Sequence, residues 1–318
     1  MAVKVKLQKK KPAPVKFKAA DFAHPDELRS KLVGLAVGVG AIAVVLGLLA
    51  LVPLRPHLQI AWGAWTLLAL VYYLRGNRRE LRRMMGDARG ARGATPEAVA
   101  DMVAKQARAL GVVAEVAVVA EAQEIATLGN TIVVPQEMQQ RLSPAEMWSL
   151  IARQMGHVKA GSVRLRNLCR RVDQEKLILL RGLGLPLRPL ARALAHWRWH
   201  TELTADRMAL VLTRDRKVVA AALLKGAVGG ADGVSVAEID EYLKRPGSLT
   251  VHSAEVTTHF KLGQVLRDRG ELMHRLRGIA QYAESEEYKQ ACERLDTAQR
   301  KDQPQAGPPT SSRDEDQS

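Results

Sequence analysis

Residues Leu32 to Leu54 form 23 consecutive positions with no charged or strongly polar side chain. At about 1.5 Å rise per residue, a helix of that length matches the ~30 Å hydrocarbon core of a bilayer. Arg55, Pro56 and His57 interrupt the run, and Leu58 to Leu74 make a second uncharged stretch of 17 residues. Trp62, Trp65, Tyr72 and Tyr73 suit an interfacial aromatic belt. A cleaved signal peptide has a shorter apolar region near the start and a small-residue cleavage site, so that reading is set aside. The two runs are expected to form an N-terminal transmembrane hairpin, 32–54 and 58–74.

The charge distribution points the same way. The chain of 318 residues carries 48 Lys and Arg against 33 Asp and Glu, a net charge of +15. Residues 1–31 hold nine basic and three acidic side chains, and residues 75–92 hold seven and two. Both basic segments flank the hairpin on one side, so the positive-inside rule places both termini in the cytoplasm of a two-pass integral membrane protein. Membrane lipids are the partner expected for the hairpin and its flanks. Nucleic acid is not expected, because no aromatic residues interleave the basic ones to stack bases. The two cysteines, Cys169 and Cys292, provide no disulfide framework and are expected as reduced thiols.

Beyond a basic juxtamembrane linker at 75–94, residues 95–296 read as one domain, mainly α with a small β-sheet. Thr95 to Leu110 has helical periodicity, with Pro96 at the first position and Gly111 after the end. Val112 to Val119 and Thr131 to Pro135 are β-branched runs separated by Gly129-Asn130. Ser143-Pro144-Ala145-Glu146 is a capping box opening a helix to about Ala160, stopped near Gly161. Leu177 to Trp199 is apolar but broken by arginines and prolines, which favours an interfacial or packed hairpin over a third span. A long helix is expected from about Ala191 to Leu212, and a disordered polar tail over 297–318.

Taken alone, Arg153, Gln154 and His157 are compatible with the polar face of an ordinary amphipathic helix, and Glu202 and Asp206 with a solvated acidic edge. Three segments in order carry more. Leu150-Ile151-Ala152-Arg153-Gln154-Met155-Gly156-His157-Val158-Lys159-Ala160-Gly161, then Glu202-Leu203-Thr204-Ala205-Asp206-Arg207 with Trp197 five residues earlier, and then Tyr282-Ala283-Glu284-Ser285-Glu286-Glu287-Tyr288 resemble the membrane zinc metallopeptidases that include the HtpX-like heat-shock proteases and the CAAX prenyl proteases. The resemblance implies a zincin-like domain over roughly residues 95–290. In that family the first segment holds H-E-x-x-H, the second E-x-x-A-D-R.

Two His at i and i+4 share a helix face and grip one zinc ion, while the Glu between them serves as general base. By the resemblance, Arg153 occupies the first ligand position, Gln154 the general-base position, and His157 and Glu202 are vestigial metal ligands. Asp206 falls where the family's Asp supports the site from behind. Arg has no lone pair to offer a metal, and Gln cannot take a proton from water at neutral pH. The family's Asn-Ala before the second strand is replaced by Gln123-Glu124-Ile125-Ala126, and no His-Pro stands upstream of the C-terminal arginine, near Arg277. No catalytic residue and no cofactor are therefore expected, with zinc only if the ligand set is an unusual one. An Arg153–Glu202 contact, with His157 beside it, is expected where the metal would sit.

No other histidine is expected to complete the metal site. His196 and His200 stand at i and i+4, but His200 is about 200° around the helix from Glu202, so packing roles are expected for them. His252 and His259 are expected on one surface face.

The function expected is that of a membrane-anchored pseudopeptidase, not an enzyme, holding a protein or peptide partner, membrane proteins or an active relative among them. An extended peptide would pair with an edge strand, Thr131, Ile132, Val133 and Val134. The alternatives are an active zinc metalloendopeptidase and a structural subunit of a membrane complex.

Overall fold

The computed structural model describes residues 17–51, 57, 60–69, 71, 72, 75, 97–119, 122, 125–174, 187–227 and 270–302. Most are helical, with one small sheet. A 3-10 turn at Ala19–Asp21 precedes α1 (Glu27–Leu51), and α2 (Glu97–Leu110) leads into the sheet. The sheet consists of β1 (Glu115–Val119), β2 (Ala126–Leu128) and β3 (Thr131–Pro135). Then follow α3 (Gln136–Arg141), α4 (Pro144–Ala160), α5 (Val163–Gln174), α6 (Arg188–Ala193), α7 (Ala195–Thr213), α8 (Arg216–Ala227), α9 (Gly270–Ala283) and α10 (Glu286–Asp302).

The helix that matters most, α4, begins and ends where its sequence signals stand. The Ser143 hydroxyl accepts from the Glu146 backbone N–H at 3.3 Å, and the Glu146 carboxylate accepts from the Ser143 N–H at 2.9 Å. Pro144 fills the first helical position, and Gly161 closes the helix at φ +68°, a conformation that glycine adopts without strain.

Strand β3 lies between its neighbours, in the order β1–β3–β2. It runs parallel to β1 and antiparallel to β2, with Leu128 opposite Thr131 across the Gly129-Asn130 turn. Gly129 has φ +69°, as the first central position of a II′ hairpin requires. Thr131 to Val134 is thus the central strand and has no free edge, which corrects its expected role in pairing with a peptide. The unforeseen strand is β2, three residues with no alternating pattern of their own.

The main core joins Ile132 and Val134 of β3, Ile151 and Met155 of α4, Met208 and Leu210 of α7, and Leu276 and Ile279 of α9. Helices α4 and α7 approach closely because Gly156 has no side chain: a Cβ there would lie 2.8 Å from Met208 Cβ and 3.2 Å from Ala205 Cα.

Among the described residues, no helix is long and apolar enough to cross a membrane. This corrects the two-pass hairpin and the integral-membrane placement with cytoplasmic termini. The apolar residues of these segments are in part committed to protein packing. Helix α1 opens on Glu27, Arg29 and Lys31, and its Gly34 and Gly38 abut α6, where an added Cβ would lie 2.8 Å from Ala193 O and 2.9 Å from Leu190 Cα. In the segment 60–72, Ala69 is fully buried and Tyr72 packs beside it in a second cluster with Leu168, Cys169, Leu194 and Trp197. The hydropathy of a run does not say whether lipid or protein covers it.

Two smaller expectations also change. The long helix from Ala191 is interrupted at Leu194, between α6 and α7. Helix α10 continues to Asp302 with Ala298 buried against the core, so the tail expected from 297 does not begin there. The basic linker at 76–94, His252, His259, Gln123, Glu124 and residues 303–318 lie outside the described residues.

Candidate functional site

Arg153 stands midway along α4 on the face that meets α7, and its residue is 8% exposed. One turn separates Glu202 from Asp206 on α7, so both carboxylates face the crossing. Arg153 Nη2 pairs directly with Glu202 Oε2, and its Nε donates to Asp206 Oδ1 at 2.9 Å. One guanidinium therefore spans both acidic residues, and the expected Arg153–Glu202 contact is present.

Two further arginines complete the network. Arg166 of α5 donates from Nε to Glu202 Oε1 at 2.5 Å. Arg275 of α9 grips Asp206 with two bonds, Nε to Oδ2 and Nη2 to Oδ1, both 2.7 Å. Asp206 has only 1% of its side chain exposed, and burying it there is tolerable because both oxygens are bonded to cations. Neither Arg166 nor Arg275 was identified in the sequence. Arg277 Nε makes no hydrogen bond among the described residues.

His157 lies beside this network without joining it. Its Nδ1 is 3.1 Å from the Ser162 hydroxyl, which itself donates to the His157 carbonyl oxygen at 3.4 Å. Ser162 Oγ can accept from Nδ1 in one tautomer of the ring and donate to it in the other. Nε2 is buried without a hydrogen bond, 3.9 Å from Glu202 Oε2. Burial, and then the charges of Arg166, Arg153 and Arg275, hold its pKa well below the usual histidine value. The ring is neutral at neutral pH.

Gln154 is a brace between α4 and the sheet. It accepts from Thr127 Oγ1 at 2.9 Å and donates from Nε2 to the Ile125 carbonyl at 3.2 Å. Asn167 of α5 donates to the Thr127 carbonyl at 2.8 Å. Leu128 and Thr131 close a two-residue hairpin and exchange both ladder bonds, so the carbonyls of Ile125 and Thr127 point away from β3. Both outward acceptors of this sheet edge are taken by side chains from α4 and α5.

The residues here do not fit a catalytic zinc ion. Arg153 presents a guanidinium with no lone pair, and three arginines surround the two carboxylates. Glu202 Oε2 is already bonded to Arg153, and Gln154 has no basic oxygen to activate water. His157 and Glu202 carry metal-ligating atom types, and the cation beside Glu202 is the Arg153 guanidinium.

No protein-family model, curated protein or solved structure matches this chain.

Proposed function

We propose that the chain is a pseudopeptidase: a protein built on a metallopeptidase-like pair of helices that does not hydrolyse peptides and works by associating with other proteins. The observation that carries this reading is Arg153, whose guanidinium is bonded at once to Glu202 and Asp206. It places a permanent positive charge where a hydrolytic site needs a metal-bound water. The glutamine at the general-base position supports the same reading, because both ends of its amide are engaged in holding β2. Partner binding by strand addition at β2 is disfavoured, since its outward carbonyls at 125 and 127 are occupied. Association therefore uses surfaces other than the β2 edge.

The test is proteolysis of casein and of quenched fluorescent peptides by the full chain with zinc supplied, beside Glu202→Ala. Turnover indistinguishable from the variant is expected. Zinc-dependent cleavage that chelators stop and Glu202→Ala abolishes would overturn the proposal.

A further inference from the structure

Three imidazoles and a carboxylate gather at another place on α7, where the segment before α1 crosses it. His196 and His200 stand one turn apart, with their Nε2 atoms 3.1 Å from each other. The His24 ring lies over that of His200, with centroids 4.5 Å apart. His24, Asp26 and His200 each bring one ligand atom within 4.8 Å of the other two. The His24 backbone is held in place, its N–H donating to Thr204 Oγ1 at 2.9 Å, while the Thr204 hydroxyl donates to Glu27.

His200 poses a bonding problem that the protein alone does not solve. The residue is 7% exposed, and its Nδ1 is buried with no hydrogen-bond partner among the described residues. A neutral imidazole has one N–H and one lone pair. When Nε2–H donates to His196, Nδ1 is a buried lone pair facing no donor. In the other tautomer it is a buried N–H facing no acceptor. A cation at Nδ1 resolves the first case, and the Nε2–H bond to His196 is then the outer contact that orients a ligating imidazole.

We propose that His24, Asp26 and His200, with His196 behind them, form a binding site for a divalent transition metal of the zinc type. Two imidazoles and a carboxylate are a donor set for such an ion, and three protein ligands leave one position for water. Donors on a tetrahedral ion at zinc's bond lengths sit about 3.4 Å apart, so loading draws these atoms together by roughly an ångström. Asp26 is exposed and His24 only partly buried, which leaves them room to move. Both imidazoles are available as neutral ligands. Burial, followed by Arg207 and His200, lowers the His24 pKa to about 4, and burial followed by His196 lowers that of His200. The nearby charge of Arg207 is paired with Glu287 at 3.4 Å. A bound ion would clamp the segment before α1 to the helix that carries Glu202.

The experiment is titration of full-length, tag-free, chelator-stripped protein with Zn²⁺ by calorimetry and with Co²⁺ by absorption. The same titrations are run on His24→Ala, His200→Ala, Asp26→Asn and Glu202→Ala. We expect one ion per native chain, binding weakened ~100-fold by His24→Ala and by His200→Ala and ~10-fold by Asp26→Asn, and unchanged by Glu202→Ala. Zn²⁺ should raise the melting temperature of the native chain and not that of His24→Ala. Should His200→Ala fail to fold, the partly exposed His24 decides. No saturable binding at micromolar Zn²⁺, or binding untouched by His24→Ala, overturns this site and leaves the pseudopeptidase reading standing. Binding lost in Glu202→Ala but kept in His24→Ala overturns both.

Discussion

Asp206 and Arg275 form a two-point contact across the α7–α9 interface, with both bonds at 2.7 Å, while Arg153 approaches the same carboxylate from α4. One acidic side chain thereby holds three helices. The energetic weight of the network falls on Asp206, the more deeply buried carboxylate, whose oxygens accept from Arg153 once and from Arg275 twice, and substitution should reveal that order.

Asp206→Ala leaves two buried guanidinium groups short of a counter-charge and should cost about 3–5 kcal/mol. Arg153→Met should cost less, about 1–2 kcal/mol, because Glu202 keeps Arg166 and Asp206 keeps Arg275. Urea unfolding midpoints measure both; an Arg153→Met loss equal to that of Asp206→Ala would contradict the shared network.

Gln154→Glu, which exchanges the bracing amide for a carboxylate, should destabilise the fold. An ionised carboxylate would face the Ile125 carbonyl with no hydrogen to give, at a cost of about 1–3 kcal/mol. Burial would raise the folded-state pKa of that glutamate above its unfolded value. Protonation then favours the folded variant, so its deficit against the natural chain should shrink as pH falls. Denaturation of both chains at several pH values checks the trend.

Two glycines inside helices should respond to alanine with opposite signs. Gly156→Ala inserts a methyl against Met208 and should lower stability by about 1–3 kcal/mol. At Gly40 an added Cβ meets nothing within 4 Å, so alanine should stabilise by about 0.4–1 kcal/mol through helix propensity and a less flexible unfolded chain. Shifts in melting temperature decide both.

The buried histidines set an acid limit. His24, lowered to about 4 by burial, Arg207 and His200, takes up a proton in the unfolded chain near pH 6.5 but resists it when folded. The unfolded state therefore binds more protons between those values, and stability is present above about pH 6.5 and lost as pH falls toward 4. His157, lowered by burial and the surrounding arginines, acts in the same direction. With a chelator present, His24→Asn should lose less stability than the natural chain over this window. Parallel curves would count against a neutral His24.

Sequence signals were most legible where they are local. Ser143, Pro144, Glu146 and Gly161 delimit α4 because each acts on a backbone group within a turn of itself. The Arg153–Glu202 contact was also within reach, since a resemblance placed both residues at one site. Arg166 and Arg275 were not, because only the packing of α5 and α9 brings them to the carboxylates. The place of β3 in the sheet depends on β2, whose three residues carry no strand pattern. Hydropathy does not mark that Gly34, Leu35 and Gly38 of α1 meet protein, because an apolar residue has the same composition beneath lipid and beneath α6.

The hydrogen bonds from Gln154 and Asn167 to the edge of the sheet also bear on how this protein behaves when crowded. An exposed edge is a template on which a strand from a neighbouring molecule can grow, and from there aggregates begin. Here the β2 edge is three residues long, and its outward carbonyls at 125 and 127 are already bonded. Gln154 and Asn167 thus guard this edge of the sheet against self-templating.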